Sequence, residues 1–166
     1  MRLLIVILAL TIPHIASADS RDDYYEISAD LNGDGINDYM ISDPVHTFGN
    51  AGGRFHIHLG VTAGGSTNVG WIFMHPLAAN LTISEPGKGT LAVYVRGGQS
   101  GNLVTYSVTM HGIEEITSIP LSPNASGIRE DQELYERHFG PEVRLKAIKR
   151  NPQHAPPAGR GEAPRP

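Results

Sequence analysis

The chain has 166 residues, no cysteine and a formal net charge of −4. The lack of cysteine excludes disulfides, thiol catalysis, Cys-ligated zinc and a lipid-modified N-terminal cysteine. Charge is unevenly placed: six basic side chains face fifteen acidic ones between 19 and 141, while six basic face two acidic from 142 onward. An acidic body argues against nucleic acid as a partner and suits a cation.

The first segment reads as an export signal over residues 1–18. Met1-Arg2 gives a positive start, Leu3 to Ile12 is almost wholly apolar, and Ala16-Ser17-Ala18 places small residues where a signal peptidase cuts. The apolar run is shorter than the roughly 20 residues that a membrane-spanning helix needs. Cleavage after Ala18 is expected, with a secreted or periplasmic protein starting at Asp19 and no transmembrane anchor after cleavage.

From 19 to 141 the pattern predicts one mainly β domain. Tyr25 to Ser28 alternates weakly, and Tyr39 to Ser42 is short and apolar. Arg54 to Leu59 puts Phe55, Ile57 and Leu59 on one face and Arg54, His56 and His58 on the other. Val69 to Met74, Leu91 to Val95, Leu103 to Met110 and Ile113 to Ile119 complete the candidate strands. Such period-two runs between Gly, Pro and Asn clusters signal antiparallel sheet. Arg129 to Phe139 has no β-branched residue or breaker and carries Leu134, Tyr135, His138 and Phe139 on one stripe, so it predicts a short helix stopped by Gly140-Pro141. Residues 142–166 form a basic, Pro-rich tail, expected to be mostly disordered and wholly so from Asn151. The string Ile41-Ser42-Asp43-Pro44 partly recurs as Ile83-Ser84-Glu85-Pro86. It marks either a faint duplication or a chance match.

The informative segment is Asp30-Leu31-Asn32-Gly33-Asp34-Gly35-Ile36-Asn37-Asp38. Oxygen-bearing side chains stand at loop positions 1, 3 and 5, and Gly35 stands at position 6, where a sharp turn is needed. Ca²⁺ takes six to eight oxygen ligands. Asp30, Asn32 and Asp34 can converge on one ion, with the Ile36 carbonyl and Asp38 closing the far side. A helix–loop–helix site is disfavoured, because its closing Glu position holds Ile41 and both flanks read as strand.

Residues 26–59 resemble one FG-GAP/VCBS-type repeat, the unit of integrin-like β-propellers. The resemblance rests on Ile27-Ser28-Ala29, the loop from Asp30 to Asp38, Tyr39 to Ser42, the Asp43-Pro44 turn, Ala51-Gly52-Gly53 and the strand Phe55 to Leu59. It implies Ca²⁺ ligation by Asp30, Asn32, Asp34, Ile36 (backbone) and Asp38. A single clear copy cannot build a propeller. The expected fold is therefore a small antiparallel β-domain of one or two blade-like sheets with a short C-terminal helix.

Catalytic signals are weak. There is no Gly-x-Ser-x-Gly elbow, and the adjacent Glu114 and Glu115 point to opposite faces of a strand. His56-x-His58 is a spacing used by zinc and iron sites and opens the cupin metal motif, but no acid follows between Leu59 and Val69. A third ligand would have to be His46, His75 or His111. The leading expectation is an exported, non-catalytic calcium-binding structural or interaction module, whose partner is an envelope protein or a glycan. Sugar stacking could use the alternating Trp71, Phe73 and His75. The alternative is a small metal-dependent enzyme of cupin-like β-barrel type using His56 and His58.

Overall fold

The computed structural model describes residues 22–98, 100–123 and 129–152. The expected signal segment and the tail from 153 onward lie outside the described residues. Two antiparallel sheets dominate. The first holds β1 (Tyr24–Ala29), β2 (Asp38–Ser42), β3 (Gly53–Gly60) and β4 (Ser66–Met74), joined on its far edge by β9 (Ile148–Arg150), in the order β4-β3-β2-β1-β9. The second holds β5 (Ala79–Glu85), β6 (Lys88–Gly97), β7 (Ser100–Thr109) and β8 (Gly112–Leu121) in simple sequential order. Each sheet thus contains a four-stranded meander of the blade-like kind expected. The sheets do not close, so the cupin-like barrel of the alternative reading is not formed.

The alternation in β3 places its residues as the period predicts. Phe55, Ile57 and Leu59 are fully buried, while Arg54 is exposed and His56 and His58 are half-buried. They pack with Ile27, Met40, Ile72 and Met74 of the first sheet against Leu91, Val93, Val104 and Val108 of the second. The second sheet is also covered over the middle of its other face. Ala92, Tyr94 and Leu103 point away from the inter-sheet core and meet Leu121, Leu134, Tyr135 and Phe139. The helix α1 (Arg129–Phe139) lies on that outer face, with the bounds its composition predicts. Its acidic residues Glu130 and Asp131 occupy the first turn and its basic residues Arg137 and His138 the last, an order that favours the helix dipole.

The segment 143–150 belongs to the fold, in contrast to the mostly disordered tail that its composition predicts. Leu145 and Ala147 pack against the core, the Leu145 N–H donates to the Ala79 carbonyl at 2.8 Å, and β9 pairs antiparallel with β1. Arg150 Nη2 reaches Glu26 Oε1 at 3.0 Å and Lys149 Nζ reaches Asp23 Oδ2 at 3.0 Å. The charge asymmetry of the sequence therefore has a structural use, because the basic end zips onto the acidic edge. The recurring string has no structural counterpart as a repeat. Ile41 and Ser42 end the second strand of one meander, whereas Ile83, Ser84 and Glu85 end the first strand of the other.

Two truncations separate the parts of the tail. Removing residues 153–166 is expected to leave the melting temperature within about 4 °C, whereas removing residues 145–166 is expected to lower it by well over that amount, because a core-packed Leu and an edge strand are lost. Thermal melts of the two truncated forms beside the full chain test this, and equal melts would place residues 145–150 outside the stable structure.

Candidate metal centre

The loop between β1 and β2 is wound on its first residue. Asp30 Oδ1 accepts the N–H groups of Gly33 at 2.7 Å and Asp34 at 3.1 Å, and Oδ2 accepts that of Gly35 at 2.9 Å. Gly33 and Gly35 both adopt positive φ, 76° and 84°, so a side chain at either position would be strained. The Asp34 N–H is shared with Asn32 Oδ1 at 3.1 Å, Asn32 Nδ2 donates to Asp34 Oδ2 at 3.0 Å, and Asp34 Oδ1 accepts the Ile36 N–H at 2.8 Å. Positions 1, 3, 5 and 6 thus do structural work in the turn.

Asp38 closes the loop. Its Oδ2 accepts the Leu31 N–H and its Oδ1 the Gly60 N–H, both at 2.7 Å. One carboxylate therefore ties the start of the loop to its end and to the last residue of β3. Asp38 is fully buried. Burial pushes its pKa up, the bonds from Gly60 and Leu31 pull it back down, and the neighbouring Asp34 and Asp30 raise it further. Among the described residues, none of Asp30, Asp34 and Asp38 has a basic partner.

The loop is also seated on the second sheet. Leu31 is fully buried, and a Cβ at Gly89 would overlap the Leu31 carbonyl. A Cβ at Gly33 would strike Ile83. The β5–β6 hairpin is thus the bed of the loop, which the sequence alone gave no sign of.

The donor set suits a hard cation, but its convergence is incomplete. Asp30 is half-buried, Asn32 and Asp38 buried, and Asp34 exposed. Every carboxylate oxygen of the three Asp residues already accepts an N–H. Each still has lone-pair capacity for a cation, since an oxygen of this kind carries two acceptor directions. Among the described residues, no group of three or more His, Asp or Glu side chains stands together in metal-binding geometry.

The histidine pair is differently placed. His56 Nε2 lies 3.1 Å from Asp43 Oδ1, and Arg54 Nε lies 3.9 Å from the other Asp43 oxygen. The Arg54 guanidinium also sits over the Trp71 ring, 4.5 Å from its centroid. Burial, and then the neighbouring His56, push the His58 pKa down. No third histidine joins the pair in a metal-binding group among the described residues. No family model matches the chain, and neither a curated protein nor a solved structure does.

Asp38 is expected to matter to stability with or without metal. Asp38→Ala strands two buried backbone N–H groups, those of Leu31 and Gly60, at a cost of about 2–5 kcal/mol. Asp34→Ala, at an exposed position, is expected to cost about 1 kcal/mol or less in chelator. Urea unfolding in the presence of EGTA checks this, and equal losses for the two variants would refute the bracing role of Asp38.

Proposed function

We propose that the protein is a calcium-stabilised, non-catalytic β-module that works outside the cytoplasm as a structural or interaction element. The observation that carries this reading is the loop of residues 30–38. It carries three carboxylates without a basic partner among the described residues, and the field of Asp34 and Asp30 reaches the buried Asp38. Like charges so placed destabilise one another, and a divalent cation removes that penalty. Asp30, Asn32, Asp34 and Asp38, with the Ile36 carbonyl, are the residues that would hold the ion. The ion would supply a structural cross-link between the loop and the strands it joins. The resemblance of residues 26–59 to an FG-GAP/VCBS-type repeat points the same way.

The extracytoplasmic setting rests on the N-terminal segment. A contact surface is available on the outer face of the first sheet, where Tyr39, Trp71 and Phe73 are 37, 54 and 38% exposed. An aromatic face of this kind suits an envelope protein or a glycan better than nucleic acid, given the acidic body. Among the described residues no helix is long and apolar enough to cross a membrane.

The test is calorimetric titration with Ca²⁺ and thermal melting with Ca²⁺ or chelator, at fixed ionic strength. Binding is expected in the range of about 10⁻⁶ to 10⁻³ M. At a hundredfold excess over Kd the folded state gains about 2.7 kcal/mol. Asp34→Ala and Asp30→Ala are expected to erase most of that gain, while Ile41→Ala leaves the affinity nearly unchanged. Superposed melting curves for the wild type with millimolar Ca²⁺ and with chelator, together with no binding heat, would reduce the loop to an acidic turn.

A further inference from the structure

A cavity of about 350 Å³ opens on the outer face of the second sheet, lined by His75, Tyr94, Arg96, Pro123, Gln132, Tyr135 and Glu136. Its volume falls in the range of small-ligand pockets. One wall is β6, which contributes Tyr94 and Arg96, and the other is α1, which contributes Gln132, Tyr135 and Glu136. The cavity is remote in sequence from the acidic loop and has no part in the calcium reading.

The two walls carry opposite charges that do not meet. Arg96 and Glu136 form no ion pair with each other among the described residues. Arg96 Nε donates to the Gly98 carbonyl at 3.0 Å, which orients the guanidinium and leaves its two Nη groups to bind a carboxylate end-on. Gln132 Nε2 donates to Glu136 Oε1 at 3.1 Å, which leaves the second Glu136 oxygen and the Gln132 carbonyl as acceptors.

Beyond the lining, Asp131 acts on Tyr94 and Arg144 on Tyr135, one charge of each sign. His75 Nδ1 accepts the Leu77 N–H at 3.2 Å, which puts the neutral ring's proton on Nε2. Burial, and then Arg96, push the His75 pKa down, which favours the neutral ring. Tyr94 and Tyr135 meet edge to face, with centroids 5.2 Å apart. Tyr94 is only 6% exposed. These rings therefore offer apolar flanks and no open platform for a stacked sugar.

A simple anion would meet the Glu136 carboxylate, and a simple cation would meet Arg96. A small molecule carrying both charges satisfies both walls. We propose that this cavity binds a small zwitterion of the amino-acid type, with its carboxylate on Arg96 and its ammonium on Glu136 and the Gln132 carbonyl. An apolar or aromatic side chain of the ligand lies along the tyrosine edges.

The experiment is an NMR titration of the purified protein with L-alanine, L-leucine and L-phenylalanine, with glucose as the uncharged comparison. At least one of the amino acids is expected to bind with Kd below about 10 mM and to shift signals of His75, Gln132 and Tyr135. For L-leucine the analogues are leucinamide, which lacks the carboxylate, and 4-methylpentanoate, which lacks the ammonium. Each is expected to bind about tenfold more weakly or worse than the zwitterion, in step with the loss of one charge-assisted contact. Arg96→Gln and Glu136→Gln, both at exposed positions, are expected to weaken binding by a similar factor without moving the melting temperature. Three outcomes overturn the proposal: no amino acid binding up to about 10 mM, undiminished binding by both variants, or binding of glucose in place of the zwitterions.

Discussion

The fold depends on how the chain crosses from β1 to β2. Leu31 must enter the core between the sheets, and it does so from a loop whose other residues are mostly polar. Two constraints make this possible. Asp38 takes the Leu31 N–H and the Gly60 N–H on its two oxygens, so the backbone that enters the apolar layer is not left with an unpaired donor. Gly89 has no side chain where the Leu31 carbonyl arrives. A larger residue at 89 would push the loop off the β5–β6 hairpin, and Leu31 would leave the core with it. The loop is thus a stitch between the two sheets as well as a gathering of acidic side chains.

Much of this architecture was legible in the sequence, and the reason is periodicity. The clean alternation over Phe55, Ile57 and Leu59 marks one face of β3, whereas the apolar run Val69 to Met74 marks β4 as a strand without saying that Ile72 and Met74 form its buried side. The helix was legible because Leu134, Tyr135 and Phe139 share one stripe and Gly140 follows. Two strands leave little local trace, for different reasons. β5 does alternate, with Leu81 and Ile83 against Asn80, Thr82 and Ser84, but it begins with Ala and lies between prolines, so its signal is weak. β9 is three residues long in a segment whose composition reads as disordered. Its place is set by pairing with β1 and by ion pairs to Asp23 and Glu26, which are long-range partners that no local pattern reveals.

The candidate site was legible in its residue types and only partly in its geometry. Spacing placed Asp30, Asn32 and Asp34 on one turn, and Gly35 does adopt the positive φ that position 6 calls for. Spacing could not show that Asp38 is buried and committed to two backbone donors, because one of them, Gly60, lies 22 residues away. Nor could it show the cavity between β6 and α1. Arg96 and Glu136 are ordinary surface residues in sequence and become notable only when two elements bring them to one space without pairing them.

One strand touches both places. β6 carries Gly89 beneath the acidic loop and Arg96 at the cavity, with Leu91 and Val93 facing the inter-sheet core between them. Shared membership of a strand does not by itself couple two sites. Coupling needs an element with two arrangements that both ligands bias. β6 is paired along its length with β7, from Gly89 opposite Val108 to Gly97 opposite Ser100, and with β5 on its other side. A one-residue slip would turn Leu91 and Val93 out of the core and Ala92 and Tyr94 into it, reversing both buried faces. A strand held that firmly has one register, so it fixes the distance between loop and cavity.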